Sequence, residues 1–166
     1  MRAYAESELD PLSQIELASY EHPWDRGVFE QVLGSQFHFC ELALIDKMIV
    51  GYIVYSISST DLEILNLTVH PNYRRHGIGS EMLSILLWTR LNRQRNRMVA
   101  PVRERNLAAQ LFLKQMGFFC VDTLREYYID CYKNEKVSEN AYLFEYVTNP
   151  VHAQEIAPWV GFEEAA

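Results

Sequence analysis

The segment Leu65 to Met82, LNLTVHPNYRRHGIGSEM, ends a strand-like run, passes through a basic loop and opens a helix on a Gly-x-Gly turn. The first backbone N–H groups of a helix have no intrahelical partner, and the helix dipole favours negative charge in front of them. Gly77 and Gly79 carry no Cβ, so a pyrophosphate can approach the main chain closely, and Arg74, Arg75 and His76 add positive charge. The implied chemistry is anion binding; the other reading of a bare Gly-x-Gly is a simple turn with solvated arginines. A Walker A loop is excluded because no Gly-Lys-Ser/Thr follows. The dinucleotide fingerprint lacks its third glycine, where Met82 stands.

The elements around this loop follow from periodicity. A short strand is expected over Arg2 to Ala5. Asp10 followed by Pro11 reads as a cap and first-turn proline opening a helix towards Tyr20. A second helix follows Trp24 and Asp25, carries Phe29, Val32 and Leu33, and stops at Gly34. Phe37 to Ile45 and Met48 to Ile57 form a hairpin around Asp46 and Lys47, and Asp61 to Val69 extends it into an antiparallel meander. Gly79 to about Arg93 carries a helical apolar stripe, and Met98 to Val102 reads as a short strand. Asn106 caps a helix ended by Gly117 in a left-handed conformation. Phe118 to Cys131 and Ala141 to Val147 are the last strands, joined by the polar loop KNEKVSEN. The order β-α-α-β-β-β-α-β-α-β-β predicts an α/β mixed sheet in one domain over residues 1–148. The tail 149–166 docks on it, binds a partner or is partly disordered.

The chain has 166 residues, enough to bury a core without disulfides or metals. Its formal net charge of −7 repels a phosphate backbone, so nucleic-acid binding is not expected. Cys40, Cys120 and Cys131 form no CxxC pair and read as buried thiols of a reducing cytoplasm. None of the five histidines forms an HxxxH or HExxH pattern, so no metal site is expected. The N-terminus lacks an apolar signal region, and the run Met48 to Ile57 is too short to span a bilayer.

Arg74-Arg75-His76-Gly77-Ile78-Gly79 resembles the acetyl-CoA-binding motif of the GNAT N-acetyltransferases: Gln or Arg, two residues, Gly, one residue, Gly or Ala. His22-Pro23-Trp24, Val102 to Asn106, Met116-Gly117-Phe118 and Tyr127-Tyr128 fall in the order seen in the RimI-type branch, the ribosomal-protein alanine N-acetyltransferases. The resemblance covers residues 1 to 148. It implies a GNAT-like, mostly antiparallel seven-stranded sheet, splayed at its centre and flanked by about four helices. It also implies an acetyl-CoA-dependent N-acetyltransferase. The acceptor implied is an amine, foremost a protein N-terminal α-amine such as that of a ribosomal protein, with a lysine or small-molecule amine as alternatives. Leu67, Thr68 and Val69 match the strand that pairs with the pantetheine arm, and Arg74, Arg75, His76, Gly77, Ile78, Gly79 and Ser80 match the pyrophosphate loop. Asn106 matches a cofactor-contacting asparagine, although a plain helix cap needs the same residue type.

The branch's base and acid do not carry over, because their positions hold Pro101 and Leu113. That departure sustains a rival reading, a catalytically silent acyl-CoA sensor. Glu63 matches the strand position where other GNAT enzymes place a general base. In an undistorted strand it shares a face with Leu65, Leu67 and Val69, an apolar setting that raises a carboxyl pKa. The other reading puts Glu63 in solvent or against an arginine. Trp24, Tyr127 and Tyr128 are assigned to substrate binding, packing being the alternative for the tyrosines. Cys120 and Cys131 are treated as core.

Overall fold

The structure, a computed structural model, describes residues 1–92, 94–132 and 135–148. Its elements are β1 (Arg2–Ala3), α1 (Leu9–Ser19), α2 (Arg26–Leu33), β2 (His38–Ile45), β3 (Met48–Ile57), β4 (Asp61–Val69), α3 (Ile78–Arg90), β5 (Arg97–Arg103), α4 (Leu107–Gln115), β6 (Phe119–Tyr132) and β7 (Glu135–Val147). The predicted order of elements is reproduced. The strands form one sheet in the order β1-β2-β3-β4-β5-β7-β6. Every neighbouring pair is antiparallel except β4 and β5, which run parallel.

Local chemistry explains most boundaries. Asp46 and Lys47 take φ of 48° and 70°, the double positive that a two-residue hairpin loop requires. The Asp25 carboxylate accepts from Val28 N–H at 2.9 Å and caps α2. Gly117 has φ 86° and ends α4 as expected. Gly34 does not follow that pattern: its φ of −68° is right-handed. Helix α1 begins one residue before the expected Asp10 cap. Asp10 lies inside its first turn and accepts from Arg26 instead.

The largest correction concerns the polar stretch read as a loop. Strand β7 begins at Glu135, and Glu135 to Glu139 pair with Tyr132 to Tyr128. An antiparallel ribbon extending beyond the core satisfies its backbone without needing apolar side chains, so composition alone hides it. Cys120 is exposed, not core, because β6 is the sheet edge and its register shifts between Cys120 and Asp122; Cys40 is buried. The side chain of Cys131 and the tail 149–166 lie outside the described residues.

Two cores flank the sheet. Leu62, Ile64, Met82, Leu83, Leu86, Leu113 and Phe118 pack where α3 and α4 cover one face. Leu9, Leu12, Ile15, Phe29 and Tyr52 pack where α1 and α2 cover the other. Among the described residues, no helix is long and apolar enough to cross a membrane.

Candidate active site: the cleft between β4 and β5

Strands β4 and β5 are paired at only three positions, ending at Glu63 opposite Val99. Beyond that point they diverge, and the ladder geometry fixes what faces the gap. His70 N–H donates to Val50 O at 2.9 Å, so residues 50 and 70 form a hydrogen-bonded pair. Because such pairs alternate in an antiparallel ladder, Tyr52 and Thr68 form the next one. Leu67 and Val69 therefore turn their backbone N–H and C=O away from β3, into the gap. Two contacts agree: the Tyr20 hydroxyl donates to Leu67 O at 3.3 Å and Arg74 Nε donates to Val69 O at 2.9 Å. Strand β5 shows the same alternation. Glu104 N–H donates to Asn140 O, so residues 99, 101 and 103 face away from β7. Pro101 thus has its missing N–H on the gap side, where no ladder bond is lost.

A cleft of about 1050 Å³ opens from this gap. Leu67, Val69, Arg74, Arg75, Gly77, Ile78, Gly79, Ser80 and Asn106 all line it, so most of the residues matched to acetyl-CoA binding converge. Arg75 has φ 67°, rare for a residue with a Cβ, and Gly77, the residue before α3, has φ 80°. A Cβ on Gly77 would meet no heavy atom within 4 Å. The Asn106 carboxamide accepts from Ala109 N–H at 3.1 Å, so one residue both caps α4 and borders the cleft.

Six predicted site residues do not line this cleft: Thr68, His76 and Trp24, and also Glu63, Tyr127 and Tyr128, which meet one another at the strand divergence. The Thr68 side chain turns away from the cleft into a buried polar cluster, leaving its strand position as its contribution. His76 borders a separate depression with Leu44, Val50 and Asn72. Trp24 packs edge-on against Phe29 at 5.5 Å within the second core.

Glu63 sits at the apex of the divergence. The register shift opposite Val54 and Tyr55 skips Leu65, a β-bulge that reverses side-chain alternation. Leu62, Ile64 and Leu67 consequently share one face, and Glu63 lies on the opposite face from Leu67. The continuous apolar setting expected from strict alternation is not formed. Glu63 instead meets Tyr127, whose hydroxyl donates to Oε1 at 3.5 Å. Burial and the nearby Glu63 push the Tyr127 phenol above its ordinary pKa. Tyr128 stacks edge-on against Tyr127 at 5.0 Å and donates to Pro101 O at 3.0 Å. Leu113 is buried in the core under α4 and offers no proton.

Sequence reasoning missed two features of the site. Arg103 and Arg105 line the cleft, bound to Glu139 at 3.0 and 3.3 Å. Burial pushes the Glu139 pKa up, but donation from Arg105 N–H and the two guanidiniums holds it below the ordinary carboxylate value. The second feature is the cluster around Glu16, which is 1% exposed on α1. Its carboxylate accepts from Tyr52 OH, from Asn66 Nδ2 at 2.7 Å, from Thr68 Oγ1 at 3.1 Å and from Trp24 N–H at 3.1 Å. The signal was present: Glu16 falls at helical spacing on the stripe carrying Leu9, Leu12 and Ile15.

The model of the acetyltransferase (GNAT) family matches residues 9–118. An uncharacterized N-acetyltransferase of Methanocaldococcus jannaschii is 31% identical over 134 residues, covering 78% of this chain and 84% of that protein. The ribosomal protein bS18-alanine N-acetyltransferase of Escherichia coli is 25% identical over 122 residues, covering 74% and 82%. The crystal structure of the Escherichia coli S18-alanine enzyme superposes with a TM-score of 0.75 at 19% identity, covering 87% of this chain and 90% of that one. Ard1 of Thermoplasma volcanium superposes with a TM-score of 0.74 at 22% identity, covering 89% and 96%. With the splayed sheet and the basic loop at the head of α3 already in place, these matches show that the chain belongs to the acetyltransferase (GNAT) family.

Proposed function

We propose that the protein moves an acetyl group from acetyl-CoA to a protein N-terminal α-amine. The observation that carries the reading is the unzipped edge of β4, with the backbone of Leu67 and Val69 facing a cleft that leads to the start of α3. Acetyl-CoA fits it in two places. Its pantetheine arm is a chain of amides that can pair with this strand edge as a missing strand would. Its pyrophosphate suits the N–H groups behind Gly77 and the Arg74 and Arg75 charges. Asn106 borders the same channel.

The amine must arrive neutral, and Glu63 supplies the base, taking the proton directly or through a water while Tyr127 steadies the carboxylate. The backbone N–H groups of the β4 edge are placed to stabilise negative charge on the thioester oxygen. Tyr127, Tyr128 and the loop carrying Trp24 form the acceptor side. Support for a protein N-terminus comes from the relatives, which include ribosomal-protein alanine N-acetyltransferases and Arabidopsis thaliana Naa50 solved with a CoA-peptide analogue. A ribosomal protein is one acceptor of this kind, and the cytoplasm is the compartment that holds it.

Glu63→Gln tests the reading. Turnover should fall by about 10²-fold or more while CoA affinity is kept. An unchanged rate would remove Glu63 from the mechanism. Tight CoA binding with no turnover on any amine would favour the sensor reading suggested by Pro101 and Leu113.

A further inference from the structure

Acetyl transfer leaves a sulfur that needs a proton, and neither Pro101 nor Leu113 can supply one. Tyr20, at the end of α1, borders the cleft beside Leu67 and Val69. Its hydroxyl lies 3.3 Å from Leu67 O, a carbonyl that faces the cofactor path, and 3.1 Å from Thr68 Oγ1. Thr68 Oγ1 in turn lies 3.1 Å from the buried Glu16 carboxylate. Thr68 has a single proton to share among Tyr20 Oη, Glu16 Oε1 and Asn66 Oδ1, the last at 2.7 Å, so these groups form one compact polar cluster between the cleft wall and a carboxylate held by donors from β3, β4 and the loop before α2. A buried carboxylate is costly to desolvate, and four donors aimed at it make a rigid seat for whatever is attached.

We infer that Tyr20 is the proton donor to the departing CoA sulfur, seated by Thr68 and Glu16. The inference rests on the acetyl-CoA reading of the cleft. With the cleft open, the Tyr20 proton is engaged by Leu67 O. A pantetheine N–H arriving at that carbonyl takes its place as donor and releases the phenol towards the thioester. The amine nitrogen then forms its bond to the acetyl carbon and gives one proton to Glu63. The C–S bond breaks with its electron pair going to sulfur, which takes the Tyr20 proton. Glu63 returns its proton to water, and water restores that of Tyr20, so amine and acetyl-CoA become amide and CoA thiol with nothing left over. Burial pushes the Tyr20 phenol above its ordinary pKa; the Thr68 hydrogen bond opposes this, Glu16 adds to it and Arg74 opposes it. The donor stays loaded at neutral pH. Glu16 and Thr68 act through Tyr20 and are positioning residues.

The test compares two acetyl donors, acetyl-CoA and its selenoester analogue, whose selenol leaves as an anion without a proton. Tyr20→Phe should turn over acetyl-CoA about 10²-fold more slowly. It should bind CoA as wild type does and recover most of its rate on the selenoester. Thr68→Ser should keep turnover, whereas Thr68→Val, closer in shape to threonine, should lose about tenfold on acetyl-CoA, less than the roughly 10²-fold or more expected on removing the acid itself. Full activity of Tyr20→Phe, or an equal loss on both donors, would overturn the assignment and leave the acetyl-CoA reading standing. Failure of the wild-type protein to bind CoA at all would overturn both.

Discussion

Gly77 and Gly79 flank the start of α3, yet the structure predicts opposite responses to alanine. Gly77 has φ 80°, a left-handed conformation in which a Cβ costs about 1–2 kcal/mol. At about 2–4 °C per kcal/mol for a chain of this size, Gly77→Ala should lower Tm by roughly 2–8 °C. Gly79 lies inside the first turn, and its added Cβ would sit 3.7 Å from Phe112 and Val69, ordinary contact. Gly79→Ala should therefore gain up to about 1 kcal/mol from helix propensity. Binding separates them further. The Gly77 Cβ would project into space no protein atom occupies, so a phosphate pressed on the helix start has to retreat. Losing one hydrogen bond to a charged group costs about 1.5–3 kcal/mol, or about 10- to 100-fold in CoA affinity. Thermal melts of both variants, with calorimetric titration of CoA, check this. Tm shifts of the same sign, or wild-type CoA affinity in Gly77→Ala, would refute it.

Phe29 is fully buried between Trp24 and Tyr52, so Phe29→Ala should cost about 3–5 kcal/mol in urea unfolding and loosen the packing of Trp24. Glu41 and Glu139 are held below the ordinary carboxylate pKa. For Glu41 burial pushes upward, but Tyr55 and Arg90 outweigh it. The unfolded chain takes up these protons at higher pH than the folded one. Stability should thus be fully present above about pH 4.5 and fall as pH drops through the lowered values, with a shallower fall in Glu139→Gln, read by melts across pH. Cys120 is exposed, whereas burial pushes the Cys40 thiol up to about 12. With Cys131 replaced by serine, a thiol reagent on the native protein should therefore show a fast phase that Cys120→Ser removes.

Much of this was legible in the chain because several signals agreed at each place. The meander followed from β-rich runs separated by Asp46 and Lys47. The basic loop at the head of α3 followed from a strand, arginines and glycines ahead of an apolar helix. What escaped depended on contacts distant in sequence. The bulge at Leu65 has no local signature, so strict alternation placed Leu67 on the same face as Glu63 when it lies on the opposite one. The ribbon from Glu135 to Glu139 is polar and exists through pairing with β6, which composition cannot report. Glu16 was visible as a carboxylate on an apolar stripe, but its four donors come from three other segments and meet only in the fold. His76 lies next to Gly77 in sequence, yet the left-handed turns on either side of it direct it to another depression.

Acceptor choice is read with two peptides of one sequence, one with a free α-amine and an acetylated lysine, the other with a blocked N-terminus and a free lysine. Each is incubated with the protein and acetyl-CoA, and CoA thiol release is followed together with the mass of the peptide. Thiol release and one added acetyl group are expected on the peptide with the free α-amine. Acetylation confined to the lysine peptide, or no thiol release from either while small amines are acetylated, would contradict an α-amine acceptor.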